Sequence, residues 1–321
     1  MHSRRSPGML LGCLGVTALA LSGCSTAPGS NSDDSALVRV VASTDVYGDI
    51  AARIGGELVA VTSIISGPTQ DPHSYEATAQ DQLALSKADL VIENGGGYDP
   101  FIGTMLKASG GDGVVVVNAS EASGLLEGDV HAGDDGPAED AGVHGRVEGF
   151  NEHVWYSFHA VENIAAELAH ELAEIDEANA DAYDENLAAF VVELDALRER
   201  AHALHDLTGG KGVAITEPVP TYLLGEVGLE NRTPEEFSEA IEEGTDVAPA
   251  VLRETLALFA DDFVVLLAYN AQTAGAETEQ VRGAADDAGV AVVSLTETLP
   301  ADADYVGWMS ANLDAIEKAL S

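Results

Sequence analysis

The sequence predicts an α/β protein of two lobes, each with a mainly parallel sheet flanked by helices, joined by a long rigid connector helix. Short apolar runs alternate with helical stretches in both halves of the chain, which is the pattern of βαβ units. Between the halves lies a stretch rich in Ala, Leu and Glu, in which apolar residues recur every three or four positions.

The first half alternates predicted strands with predicted helices. They cover residues 38–42 (strand), 46–54 (helix), 59–65 (strand), 79–86 (helix), 90–92 (strand), 101–108 (helix) and 114–117 (strand). We assign residues 37–158 to an N-terminal lobe. Within it, residues 124–150 lack hydrophobic rhythm and are rich in Gly, Asp and Glu, so we expect a mobile acidic surface loop there.

The connector is predicted over residues 159–207, where no proline occurs. Residues 176–179 are polar and either break this helix or only form a polar face. The C-terminal lobe, residues 208–321, has its predicted elements at 213–215 (strand), 222–226 (helix), 263–269 (strand), 280–288 (helix), 290–295 (strand) and 305–320 (helix). A further helix is expected to begin with Thr233 as N-cap, Pro234 at N1 and Glu236 at N3, in a capping box.

Composition excludes one large class of function. The 321 residues carry 55 acidic and 14 basic side chains, for a net charge of −41, so no nucleic acid partner is expected. Electrostatic docking to an anionic membrane is implausible for the same reason. The hydrophobic fraction of 46% is that of a globular protein rather than of a disordered acidic chain.

The N-terminus has the features of a secretion signal. Arg4 and Arg5 precede an apolar stretch too short to span a bilayer, and Leu21-Ser22-Gly23-Cys24 resembles a bacterial lipobox. We therefore predict a signal peptide over residues 1–23, a lipidated Cys24 and a flexible tether over residues 24–36. The alternative is an ordinary signal peptide with a chance cysteine.

Four side chains are candidates for chemistry. His73 lies in DPHSYE after a predicted strand, and His153 lies in NEHVW after the acidic loop. Glu217 and Glu297 each follow a predicted strand of the second half, in Thr-Glu pairs. In α/β folds this edge is where ligands bind. Taken alone, each His is more often a structural or surface residue, and one Glu among 55 acids has a weak claim.

The chain resembles the zinc/manganese substrate-binding lipoproteins of bacterial ABC importers. The resemblance lies in the two His motifs, in the central helix, and in YVGWM near the end of the chain with Asn312-Leu313 after it. The resemblance covers nearly the whole chain after the tether. It implies that His73 and His153 bind the metal, that Glu217 is the third ligand and that Glu297 is the fourth. Asn270 and Gln272 are alternatives to Glu297. Glu152 stands where the family usually has proline, which removes a rigid turn residue but leaves His153 in place.

The resemblance also implies a function. The cargo would be Zn²⁺ or Mn²⁺, held by two imidazoles and two carboxylates in a closed sphere and delivered to an ABC permease. The protein would be a monomer anchored through Cys24 on the extracytoplasmic face of the cell membrane, and not an enzyme. Candidates for orienting the imidazoles are Asp71, Glu76 and Glu152.

Three other functions compete with this one. A metal-dependent hydrolase using the same His/Glu cluster would need an open coordination site and a general base. A surface adhesin has no independent support in the sequence. A binding protein for a siderophore or cobalamin should have an aromatic or Arg-lined pocket, for which a chain with 5% aromatic residues offers little.

Overall fold

The computed structural model describes residues 37–67, 70, 72–110, 113–126, 149–260 and 263–321. The predicted signal peptide, the tether with Cys24 and residues 127–148 of the acidic loop lie outside the described residues. No helix within the described ranges combines the length and the apolar character needed to cross a bilayer.

Two parallel four-stranded sheets organise the described chain. The first has the order β2-β1-β3-β4, and its strands are β1 (Val38–Thr44), β2 (Val59–Ile65), β3 (Leu90–Glu93) and β4 (Val115–Asn118). The second has the order β6-β5-β7-β8, and its strands are β5 (Gly212–Ile215), β6 (Glu230–Asn231), β7 (Leu266–Tyr269) and β8 (Ala291–Ser294). The two sheets therefore share one plan, and the predicted fold class is confirmed.

Helices cover the sheets, as the βαβ connections require. In the first half they are α1 (Asp45–Gly55), α2 (Ala79–Leu85), α3 (Pro100–Ser109) and α4 (Ala119–Ala122). Two long helices follow, α5 (Phe158–Ile175) and α6 (Ala180–Thr208). In the second half they are α7 (Thr221–Glu226), α8 (Glu235–Glu242), α9 (Pro249–Ala257), α10 (Ala276–Ala288) and α11 (Tyr305–Ala319).

The segment expected to be one connector helix is two helices. Helix α5 ends at Ile175, a short 3₁₀ turn covers Glu177–Asn179, and α6 then runs for 29 residues. The side chain of Asp176 accepts hydrogen bonds from Asn179 Nδ2 at 2.7 Å and from the Tyr183 hydroxyl at 3.1 Å. These side-chain bonds hold Asp176 at the junction, where its backbone leaves the helical conformation (φ −130°, ψ 67°). The polar residues 176–179 are therefore a break rather than a polar face.

Two further sequence predictions are wrong, and one helix was missed. Thr233 is not the N-cap of α8, because its hydroxyl accepts from Ile215 N at 2.8 Å and so ties the loop to strand β5. Strand β7 begins at Leu266, and Phe263, which was assigned to it, is 59% exposed. Helix α9 was not predicted, although Pro249 stands at its N-terminal end, where proline is favoured.

One hydrophobic core runs through both halves of the described chain. It joins residues of the first sheet, such as Val40 and Ile92, to residues of the second, such as Ile215 and Leu266, through α5, α6 and α11. Strands β3, β5 and β7 are buried along their whole length, as parallel strands covered on both faces should be. This core fixes the two sheet edges that carry the candidate residues.

Candidate metal centre

Three of the four predicted ligands converge. His73 lies in a one-turn 3₁₀ helix after β2, His153 stands directly before the Val154–Tyr156 turn, and Glu297 follows β8. One ligand atom from each of the three lies within 4.8 Å of the other two. His153 and Glu297 are buried, at 0% and 3% exposure, and His73 is half-buried. Side chains far apart in sequence therefore meet at one point.

The fourth predicted ligand, Glu217, is placed beside Glu297 by Asn270. Glu217 is buried at 2% exposure, two residues beyond the end of β5. The Asn270 Nδ2 group donates to Glu217 Oε2 and to Glu297 Oε1, the latter at 2.8 Å. Glu217 is not part of the triad formed by His73, His153 and Glu297 in the described structure. It borders that triad through this shared amide.

Asn270 and Gln272, the two alternatives to Glu297, serve as hydrogen-bond partners around the carboxylates. Gln272 Oε1 accepts from the backbone nitrogen of Glu297 at 2.6 Å. Asn270 Oδ1 accepts from Gln272 N at 2.9 Å, and Asn270 N donates to Thr216 Oγ1 at 2.9 Å. The loops after β5, β7 and β8 are thus joined into one network that orients both carboxylates.

The orientation of His153 is set by Asn151. The Asn151 Oδ1 atom lies 2.7 Å from His153 Nδ1 and also accepts from His153 N at 3.1 Å. An amide oxygen only accepts, so Nδ1 carries the proton and Nε2 of the neutral ring is the nitrogen with a lone pair. Asn151 is itself tied to the second half, since its Nδ2 donates to Pro218 O at 3.1 Å.

Aromatic rings form one wall of the site. Tyr98 is fully buried, its ring centre lies 4.9 Å from that of His73, and its hydroxyl donates to Glu297 Oε2 at 3.3 Å. Burial, together with the charge of Glu297, raises the pKa of Tyr98 well above its ordinary value. The ring of Trp155 packs edge-on against His153 at 5.1 Å. Tyr98 is therefore a permanent neutral donor, and this wall excludes water from one side of the imidazoles.

Of the three residues expected to orient the imidazoles, only Glu152 lies beside one of them in the described structure. Asp71 lies outside the described residues, and Glu76 is exposed. Glu152 is buried, and one ligand atom each from His73, Glu152 and Glu242 lie within 4.8 Å of one another. The sequence predictions missed Tyr98, Asn151 and Glu242. The Asn-x-His spacing could have indicated Asn151, whereas nothing local distinguishes Glu242 from the other acids of α8.

This donor set suits a divalent transition metal. Imidazole nitrogens with carboxylate oxygens are ligands shared by Zn²⁺ and Mn²⁺ sites, and two carboxylates neutralise the charge of the ion. Burial of the predicted ligands and their hydrogen bonds to neighbouring amides preorganise the candidate site.

Comparison with known proteins gives the family. Residues 40–319 match the family described as "Zinc-uptake complex component A periplasmic". The chain belongs to this family. The metal ABC transporter substrate-binding lipoprotein ScbA of Streptococcus cristatus is 27% identical over 244 residues, which are 70% of this chain and 74% of that protein. The manganese ABC transporter substrate-binding lipoprotein PsaA of Streptococcus pneumoniae is 27% identical over 246 residues, which are 68% of this chain and 72% of that protein.

Solved structures agree with the fold. The substrate-binding protein FpvC of Pseudomonas aeruginosa, solved in complex with Mn²⁺, superposes with a TM-score of 0.68 at 26% identity. That match covers 88% of this chain and 98% of FpvC. The family resemblance predicted from the His motifs is thus confirmed.

Proposed function

We propose that this family member captures a divalent transition metal, Zn²⁺ or Mn²⁺, outside the cytoplasm and delivers it to an ABC-type permease. The observation that carries the proposal is the convergence of His73, His153 and Glu297 in a buried site. We assign these three residues and Glu217 as ligands. The metal-binding or metal-transporting relatives support the nature of the cargo.

The surroundings favour capture over catalysis. A hydrolytic metal site keeps an open position for water and a general base beside it. Here the carboxylates of Glu217 and Glu297 are buried and held by Asn270, and the ring of Tyr98 packs against His73. Four or more protein ligands on one ion would leave no position open for water, which suits a carrier. We therefore adopt neither the hydrolase nor the adhesin alternative.

The proposed ligands are tested by alanine substitution. In the purified full chain, His73→Ala and His153→Ala should each lower the affinity for Zn²⁺ and Mn²⁺ by about 100-fold or more in competition titrations. The physical reason is that each removes one of the two imidazole ligands of the ion. His202→Ala is the matched control, because His202 is exposed on α6, and its affinity should stay within about 2-fold. Unchanged affinity in both ligand variants would remove the imidazoles from the site.

The proposed location depends on Cys24. We propose that acylation of this cysteine anchors a monomer to the cell membrane, with the binding site on the extracytoplasmic face. Cys24→Ser should abolish incorporation of labelled fatty acid and move the protein from the membrane pellet to the soluble fraction. Retention of label and pellet localisation by the variant would exclude this anchor.

A further inference from the structure

Glu242 occupies an unusual place for a carboxylate. It is the last residue of α8, and its side chain is only 4% exposed. Its Oε1 atom lies 3.6 Å from His153 Nε2, and it also belongs to the group in which ligand atoms of His73 and Glu152 lie within 4.8 Å. One carboxylate outside the predicted ligand set therefore approaches both predicted imidazole ligands.

Glu242 approaches His153 at the ring nitrogen that would bind the metal, Nε2. Asn151 engages His153 Nδ1, so Nε2 is the atom that faces an ion, and Nε2 is the atom that Glu242 faces. Two ligands bound to one ion at roughly 2.0–2.2 Å are separated from each other by about 3.4 Å in tetrahedral geometry. The observed 3.6 Å is close to that separation. The geometry is thus that of two neighbouring ligands around a common centre.

Glu242 also borders the solvent. A cleft of about 590 Å³ is lined from the first half by Asn151 and Glu152, and from the second half by Glu242 and the end of α8. Glu235, Glu239 and Glu243 line the same cleft and are exposed. Glu242 is the α8 acid of this cleft that turns inward toward the imidazoles.

We propose that Glu242 is a further ligand of the transported ion and that it shifts selectivity toward Mn²⁺ relative to Zn²⁺. This proposal rests on the proposed function. Zn²⁺ is satisfied by four ligands, whereas Mn²⁺ belongs with the ions that prefer more, and harder, oxygen donors. Two imidazoles with three carboxylates supply five protein ligands, and one bidentate carboxylate raises the donor count to six. The third carboxylate therefore adds more to Mn²⁺ binding than to Zn²⁺ binding.

The test compares Glu242→Gln with Glu239→Gln in the purified full chain. Both variants remove one negative charge from α8 at the same cleft, but Glu239 is exposed. We expect Glu242→Gln to lower the Mn²⁺ affinity by at least about 30-fold and the Zn²⁺ affinity by less than about 5-fold. Glu239→Gln should change either affinity by less than about 2-fold. X-ray absorption of the Mn²⁺-loaded protein should show fewer oxygen atoms bound to the ion only in Glu242→Gln.

Other outcomes overturn the assignment. If Glu242→Gln behaves like Glu239→Gln, or if it weakens both metals equally with an unchanged metal shell, Glu242 acts only through its charge and is not a ligand. Glu242→Asp keeps the charge but shortens the reach. It should also lose Mn²⁺ selectivity, and it replaces Glu242→Gln if that variant does not fold. If neither His73→Ala nor His153→Ala lowers the affinity for either metal, the proposed function itself fails, which is distinct from failure at Glu242 alone.

Discussion

At the residue scale, the candidate centre is defined by a few amide groups that set the direction of charged or titratable side chains. Asn151 fixes the ring of His153, and Asn270 donates to both Glu217 and Glu297. A carboxylate buried without hydrogen bonds or positive charge is destabilising by several kcal/mol. The Asn270 amide therefore helps two buried carboxylates to coexist, and it fixes their oxygen positions.

Loss of the Asn270 amide should weaken metal binding without removing a ligand. We expect Asn270→Ala to reduce the affinity by about 10- to 100-fold, as is usual for partners that orient ligands. Gln272→Ala is the comparison, since Gln272 bonds the backbone of Glu297 and not its carboxylate, and its loss should be smaller. Competition titration of both variants measures the difference. Wild-type affinity in Asn270→Ala would contradict the orienting role.

At the element scale, helix ends meet where the halves are joined. Glu226, the last residue of α7, accepts a hydrogen bond from the backbone nitrogen of Phe158, the first residue of α5, at 3.2 Å. Burial raises the pKa of Glu226 to about 7, although this hydrogen bond and the charge of Arg198 act in the opposite direction. A carboxyl group with such a pKa makes this junction sensitive to pH.

The sign of that sensitivity follows from proton linkage. Between the ordinary pKa of 4.5 and about 7, folded Glu226 holds a proton that the unfolded chain releases, so its contribution to stability falls as pH rises through this window. Above pH 7 the loss is complete. Glu226→Gln should remove it and increase the free energy of unfolding at pH 8, relative to wild type, by about 2 kcal/mol.

Chemical denaturation at pH 4.5, 6 and 8 measures this difference. Glu174→Gln on α5 is the control, because Glu174 is 66% exposed, and it should stay within about 0.5 kcal/mol of wild type at each pH. A constant difference between Glu226→Gln and wild type across the three values would show that Glu226 does not titrate in this window.

At the scale of the whole molecule, the described halves are held together by a shared core and by polar contacts between them. These contacts include Tyr305 N to Asp49 Oδ2 at 2.9 Å and the Tyr305 hydroxyl to Trp155 O at 2.7 Å. Arg53 adds an ion pair with Asp304 at 2.9 Å. Closure of a site bordered by both halves should therefore require only small movements.

Binding of the cargo should stabilise the whole chain. By mass action, free metal at 100 times its dissociation constant adds about 2.7 kcal/mol, which corresponds to a rise in Tm of about 4–5 °C for a chain of this size. Thermal unfolding with and without Zn²⁺ or Mn²⁺ measures the shift. A chelator should reverse it, and His73→Ala should show a much smaller shift at the same metal concentration. A wild-type Tm that neither metal changes at saturation would contradict the proposed function.

Much of the fold could be read from local patterns. Parallel strands buried on both faces have continuous apolar sequences, so β1, β3 and β5 were predicted nearly at their observed limits. The edge strand β2 was predicted at its observed limits from its β-branched residues, although it is only partly buried. The sequence did not decide whether the helix breaks near Asp176, because the side-chain bonds of Asp176 to Asn179 and Tyr183 form only in the folded chain. The start of β7 was predicted too early for a related reason. Phe263 is apolar, but the sequence does not show that its side chain is exposed.

The sequence by itself determined the family and the two motifs that carry His73 and His153, because the types and order of residues are sufficient for both. Only the tertiary structure showed that Glu297 lies beside the two imidazoles whereas Asn270 and Gln272 are its hydrogen-bond partners. Only the tertiary structure, too, showed that Glu242 lies next to His153. Each of those contacts depends on loops that follow different strands and on the direction of individual side chains. Such directions are fixed by packing between distant segments, for which one stretch of sequence holds no local signal.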